Sequence, residues 1–406
     1  MKPLACWVCA VLLAALAAGC TSGGGGSATP SVVPLGASCS EGQKQTSPNV
    51  CVDPADPEST QVADLIERLR QRSRLNASIF GVWNGGDQLV TGAIGEALPE
   101  VPATRDLHFR ICNVAESMTA TLLLQYVDEG RLSLDDPVSK WFPSMPRADR
   151  VTLGMLARMT SGIADYVTNA GFEKAYHHNP FRQWQPEQLV KIGTSQPPLF
   201  PPGTSWAFSD TNFMLLGEIL TKAEGKPLGD QLHEKILDPL GLDDTAMQYT
   251  AQVPPPVLHG YDPERGDYQD STFWNPSWAI YTGNMTSDLA DLGAWAPALG
   301  TGALLSAESH ERQVGPGNVG LGPLTSKGYY GMGVGVGSSW IFSNPHCAGY
   351  NGILAYYPPQ KISVVIFSTP AMGNPDDIND SQSIFVQVAK LLTPDSVPNL
   401  AQRVGN

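Results

Sequence analysis

The chain has 406 residues, 42% hydrophobic and 16% charged, with 41 Gly and 34 Pro, which excludes collagen-like, low-complexity and disordered classes. Its 39 acidic side chains outweigh 25 basic ones, giving a formal charge of −14; phosphate binding wants a basic surface, so no nucleic-acid partner is expected. The length admits two or three domains of about 150 residues or one large α/β unit.

Lys2 precedes an apolar stretch from Leu4 to Ala18. That run is shorter than the roughly 20 residues of a bilayer-spanning helix and fits the core of a secretory signal. Leu16-Ala17-Ala18-Gly19-Cys20 resembles the lipobox of bacterial lipoproteins. The resemblance implies cleavage before Cys20, a diacylglyceryl group on its sulfur, and anchoring at the extracytoplasmic face of the cell membrane. An ordinary signal cut nearby, releasing a secreted protein, is the alternative. Residues 1–19 are thus expected to be a signal, and 20–58 a tether and lead-in, with Thr21 to Thr29 (TSGGGGSAT) as a flexible spacer. Cys6 and Cys9 leave with the signal. Cys39, Cys51, Cys112 and Cys347 remain, and an even number outside the cytoplasm suggests disulfides in one of three pairings. Joining Cys39 to Cys51 closes a short loop and leaves Cys112 for Cys347.

Ser59 reads as the N-cap of a helix carrying Val62, Leu65, Ile66 and Leu69 on one face. Ser78 to Trp83 and Gln88 to Ile94 read as strands joined by Asn84-Gly85-Gly86, residues that tolerate positive φ. A helix after Asn113 carries Leu122, Leu123, Leu124, Tyr126 and Val127 up to Gly130, apolar on most sides and hence central. The stretch from about Val151 to Leu305 reads as helical and loop-rich, with a helix over Asn212 to Ala223. Tyr329 to Val336, Gly349 to Tyr357 and Lys361 to Ser368 read as strands, and Ser381 to Leu392 as an amphipathic helix. Strands at both ends with helices between predict an α/β (α+β) fold: an antiparallel sheet flanked by helices, with a helical insertion at about 151–305, in a domain spanning 59–395 before a tail at 396–406.

Phe109-Arg110-Ile111 and Val127-Asp128-Glu129-Gly130-Arg131-Leu132-Ser133-Leu134-Asp135-Asp136-Pro137-Val138 stand in order with Thr160-Ser161-Gly162, Pro202-Gly203-Thr204, Pro239-Leu240-Gly241-Leu242 and Leu304-Leu305-Ser306. Together they resemble the serine β-lactamase-like superfamily, in the branch of class C β-lactamases, D-alanyl-D-alanine carboxypeptidases and esterases. The resemblance covers roughly residues 60–395 and implies the β-lactamase/transpeptidase-like fold.

It also implies three motifs around one cleft. Where the family has Ser-x-x-Lys, whose Ser attacks a carbonyl while Lys takes its proton, this chain has Asn113-Val114-Ala115-Glu116. Where the family has Tyr-x-Asn, aligned on Pro202-Gly203-Thr204, it has Phe208-Ser209-Asp210, with the ring but no hydroxyl to move a proton. Counting back from Gly349-Tyr350 sets Ser343-Asn344-Pro345 at the Lys/His-Thr/Ser-Gly motif, and Met159 replaces a family His. Some distantly related class A enzymes carry a disulfide between the places of Cys112 and Cys347, which implies that bond here; two separate buried thiols are the alternative.

The catalytic set is therefore degenerate at Asn113, Glu116, Phe208, Asp210 and Ser343. Backbone N–H groups at Asn113 and His346 are expected to remain as an oxyanion-type pair. Asn113, Glu116, Asp210 and His346 are expected to line a binding cleft whose acids favour a cation or amine, or else simply share a proton. Ser117, Ser161, Ser209 and Ser343 are possible replacement nucleophiles, none with a Lys at helical-turn spacing. No cofactor is expected: the His residues lack metal-ligand spacing, leaving zinc without support, and Gly331 to Gly337 (GMGVGVG) does not complete a nucleotide loop. The resulting expectation is a pseudoenzyme that binds a peptidoglycan fragment or an envelope protein. Its rivals are a working serine hydrolase with another nucleophile and a purely structural envelope lipoprotein.

Overall fold

Alternation along the long strands sets the layers. In Leu75–Asn84, Ala77 and Ile79 face one core while Phe80 and Val82 face another; in Ile362–Pro370, Val365 and Phe367 join the first, and Val364 and Ile366 the second. Successive side chains point to opposite faces, so a strand apolar at nearly every position is one covered on both sides. The computed structural model describes residues 39–266, 268–374 and 378–400. The signal, Cys20, the glycine-rich spacer and the end of the tail lie outside the described residues.

The principal sheet runs in the order Lys44–Ser47, Val50–Val52, Asp87–Leu98, Leu75–Asn84, Ile362–Pro370, Tyr350–Tyr357, Trp340–Ser343, Gly335–Gly337, Gly328–Tyr330. Every neighbouring pair is antiparallel, and the two ends of the chain meet where Leu75–Asn84 pairs with Ile362–Pro370. Helices Pro57–Arg72 and Asp380–Leu392 cover one face through Val62, Ile66, Ile384, Phe385 and Val388. The other face carries Leu289–Thr301, through Leu292 and Trp295, and joins a core that holds the central helix Val114–Asp128 and the helix Asp210–Glu224. The expected α/β arrangement of an antiparallel sheet with helices inserted between its terminal strands is the one observed. No helix among the described residues is long and apolar enough to cross a membrane.

Local chemistry moves several expected boundaries. The first helix is capped by Asp56, whose side chain accepts from Glu58 N at 2.7 Å, because Pro57 opens the helix; Ser59 is buried and turns its hydroxyl back to the carbonyls of Asp53 and Asp56. The hairpin closes through Gly85 and Gly86, at φ 62° and 101°, the left-handed pair that matches strand twist. The single strand expected over Tyr329–Val336 is two strands, Gly328–Tyr330 and Gly335–Gly337, since Gly331 N bonds Val334 O and turns the chain. At Gly333 (φ 69°) a Cβ would lie 2.6 Å from the carbonyl of Glu116; glycine lets this turn press against the central helix. Both disulfides, Cys39–Cys51 and Cys112–Cys347, are formed. The lead-in after Cys39 forms the sheet's edge, as Val50–Val52 pairs with Asp87–Leu98.

Candidate functional site

The central helix starts where Cys112, in a left-handed turn at φ 44°, is tied to Cys347 beside the short strand pair His346–Cys347 and Tyr350–Asn351. The helix is buried on nearly every side, as its all-round apolar sequence requires, and only its first turn opens on a cleft. This cleft, about 520 Å³, is lined by Asn113, Glu116, Phe208 and Ser343, with Trp206 and Tyr330 among its walls. Asp210 stands behind Asn113 and bonds to it. His346 does not line this cleft: it is exposed and lines another hollow, of about 650 Å³, with Tyr176 and Trp278. Trp340–Ser343 ends before Asn344-Pro345, and His346–Cys347 resumes pairing with the same neighbour, Tyr350–Tyr357, as a separate short strand.

Asn113 Nδ2 donates to Glu116 Oε1 and to Asp210 Oδ1, each at 3.4 Å, and the Tyr330 hydroxyl donates to Glu116 Oε2 at 3.2 Å. Asp165 joins from the Ser161-Gly162 turn, accepting from Val167 N at 3.0 Å and from the backbone N–H of Asp210. No Lys or Arg among the described residues forms an ion pair with these three acids within 4.0 Å. Burial, then the nearby charge of Asp210, pushes Glu116 well above the carboxylate range. Burial, then Asp165, raises Asp210 to about 8, and burial raises Asp165 to about 6. Buried carboxylates without a cation are costly, so Glu116 and Asp210 hold their protons at neutral pH.

The amide of Asn113 is no nucleophile, Glu116 holds rather than removes a proton, and Phe208, 40% exposed at the cleft, has no hydroxyl. Met159 is buried and accepts from Asn212 Nδ2 through its sulfur at 3.2 Å. Ser161 is bonded to Asn212 Oδ1, and Ser117 donates to Val114 O while accepting from Trp295 Nε1. Ser209 is buried at the start of its helix. Ser343 shares the cleft lining with the exposed Lys327.

The family model described as Beta-lactamase matches residues 62–389. The chain belongs to this family. The Beta-lactamase fold is shared with a D-stereospecific amidohydrolase from Streptomyces sp., at a TM-score of 0.73 and 26% identity over 83% of this chain and 99% of that one. The D-alanyl-D-alanine-carboxypeptidase/endopeptidase AmpH of Escherichia coli (strain K12) is 31% identical over 169 residues, 39% of this chain and 42% of that protein. Esterase EstB of Burkholderia gladioli is 30% identical over 192 residues, 44% of this chain and 48% of that protein. The matches thus span less than half the length of these two curated relatives.

Asp165, Trp206 and Tyr330 were not among the site residues expected from sequence. Asp165 follows Thr160-Ser161-Gly162 closely enough that an acid there was a readable signal. Trp206 and Tyr330 carried none, because tryptophan before a motif and tyrosine in a strand are ordinary core residues. Sequence spacing also missed a second acidic group, Asp244, Asp288 and Asp291, whose carboxylate oxygens lie within 4.8 Å of one another.

Proposed function

We propose that this Beta-lactamase family member is a cell-envelope binding protein that has given up acyl-enzyme catalysis. The observation that carries the reading is the pair Asn113 and Glu116 at the cleft floor, an amide and a proton-holding carboxyl in the places of nucleophile and base. In subtilisin, a serine hydrolase, loss of either the nucleophile or its base costs about 10⁶ in kcat; loss of both here, with the phenol at Phe208, leaves no useful acylation. The lipobox-like Leu16-Ala17-Ala18-Gly19-Cys20 supports a lipid anchor at the extracytoplasmic membrane face. The carboxypeptidase/endopeptidase name of one relative supports a peptidoglycan fragment as ligand; an envelope protein is the other partner class.

Labelling the purified protein with a fluorescent penicillin and a fluorophosphonate tests this, and no adduct is expected. A covalent adduct lost in one Ser→Ala variant would overturn the reading. A second reading, a hydrolase with a relocated nucleophile, draws on Ser343 and Lys327 lining one cleft; it requires an adduct that Ser343→Ala abolishes. A purely structural lipoprotein would show no rise in melting temperature with muropeptides or with fractions of an envelope extract, whereas a binder must respond to the one that holds its ligand.

A further inference from the structure

We propose that the cleft floor is a receptor for a primary alkylammonium group, which passes between aromatic walls and sets its N–H donors against Glu116. The inference rests on the binding reading above and names the ligand chemistry of the same site. Five aromatic residues line the cleft: Trp206, Phe208, Tyr329, Tyr330 and Phe342. The rings of Trp206 and Tyr330 meet with centroids 5.7 Å apart at 47°, making a corner. Aromatic faces attract a cation and also pack the methylenes that carry it.

Glu116 supplies the anchor. Its Oε1 accepts from Asn113 and its Oε2 from Tyr330. Each carboxylate oxygen accepts two hydrogen bonds, so one position per oxygen remains for the N–H groups of an ammonium. Glu116 is only 2% exposed, so what reaches it must be slender and must carry N–H. An unbranched primary amine meets both conditions. A quaternary ammonium meets neither.

Charge points the same way. Glu116, Asp210 and Asp165 have no ion-paired cation among the described residues, and breaking such a cluster's neutrality without a partner is costly. The neutral groups around them are Asn113, Tyr330 and Tyr166, whose phenols burial and the neighbouring acids keep protonated. Lys327 is exposed on the lining and opposes a second cation only weakly through solvent. Binding then balances as a protonated carboxyl plus an alkylammonium giving a carboxylate–ammonium pair plus one proton released to water. Affinity must rise with pH while the ligand, with a pKa of about 10.4 for a lysine-type amine, stays charged.

The test is calorimetric titration of the full chain with n-pentylammonium at about pH 6 and pH 8.5, in two buffers of different ionisation enthalpy. Binding should tighten by about tenfold or more at the higher pH with proton release, and Glu116→Gln should weaken it by about tenfold or more and abolish the release. Trp206→Leu should weaken binding by about threefold or more. Tetramethylammonium and n-pentanol should not compete. Equal binding of pentanol, pH-independent binding without proton release, or no binding up to about 10 mM would overturn the assignment. Proton release in the unaltered protein decides the question even where a variant fails to fold. Muropeptides retained equally by wild type and Glu116→Gln would overturn the amine receptor and leave the binder reading standing; a penicillin or fluorophosphonate adduct overturns the binder reading itself.

Discussion

The cleft-floor acids Glu116, Asp210 and Asp165 and the second group, Asp244, Asp288 and Asp291, are both three-carboxyl clusters, and they are held in different ways. In the second group the backbone does most of the holding: Asp291 Oδ2 accepts from Asp244 N at 2.9 Å and from Thr245 Oγ1 at 2.6 Å, and Asp288 Oδ1 caps the helix Leu289–Thr301 through Asp291 N. Asp244 also meets His108 Nε2 at 3.1 Å. At the cleft Asp165 too is held by backbone N–H groups, of Val167 and Asp210, but Glu116 depends on two side chains, Asn113 and Tyr330, and Asp210 on Asn113 and the Thr282 hydroxyl. Burial raises Asp291 and Asp210 alike, but Thr245 and the N–H of Asp244 hold Asp291 at about 6, while the charge of Asp165 carries Asp210 to about 8. Backbone donors make an acid part of the frame. Side-chain donors around an open cavity leave it able to change partners.

The largest expected effect comes from cutting the staple that positions Asn113. Replacing both Cys112 and Cys347 by alanine opens a loop of sequence separation 235 and should cost about 2–5 kcal/mol in chemical denaturation. A loss under about 1 kcal/mol would mean that packing alone orders the cleft floor. Next, Asp291→Ala strands the Asp244 N–H and the Thr245 hydroxyl, and urea unfolding should report about 2–4 kcal/mol lost; a near-neutral result would erase the distinction between the two clusters.

Asp210→Asn sharpens the contrast through pH. A carboxyl at about 8 in the folded chain and about 3.9 unfolded binds its proton in the native state first. Its contribution is therefore complete below about pH 4 and is lost as pH rises toward 8 and beyond, with stability falling by at most about 1.4 kcal/mol per unit. The variant should flatten that fall in melting temperature between about pH 5 and 8. An unchanged slope would assign the protons to other groups. Smallest of all, Glu116→Gln replaces a protonated acid with an amide of the same shape and should change stability at neutral pH by less than about 1 kcal/mol. A large loss would show that Glu116 is ionised in the resting protein.

The central helix, the Asn84-Gly85-Gly86 hairpin and the strand Ile362–Pro370 were legible because each expresses a local period or a turn residue with one physical use. The order of strands and helices gave the α/β fold class and the order of short motifs the family resemblance, while Cys112 with Cys347 followed from setting Cys39 against Cys51 and from that resemblance. Ser59 misled, since a hydroxyl one turn into a helix looks like a cap until Pro57 and Asp56 are considered. The strand over Tyr329–Val336 misled as well, because alternation reads through Gly331–Val334 and does not register a turn whose hydrogen bond spans four residues.

By itself the sequence determined which side chains stand at Asn113, Glu116 and Phe208, because an amide, a carboxyl and a phenyl ring are properties of single residues at fixed positions. It also determined the antiparallel sheet with helices between its terminal strands, since periodicity is carried within each segment. Only the tertiary structure decided what the cleft contains. Asp165, Trp206 and Tyr330 come from three distant segments, and His346 turns to another hollow; burial and through-space charge, which set how tightly Glu116 and Asp210 hold their protons, exist only once those segments are packed together.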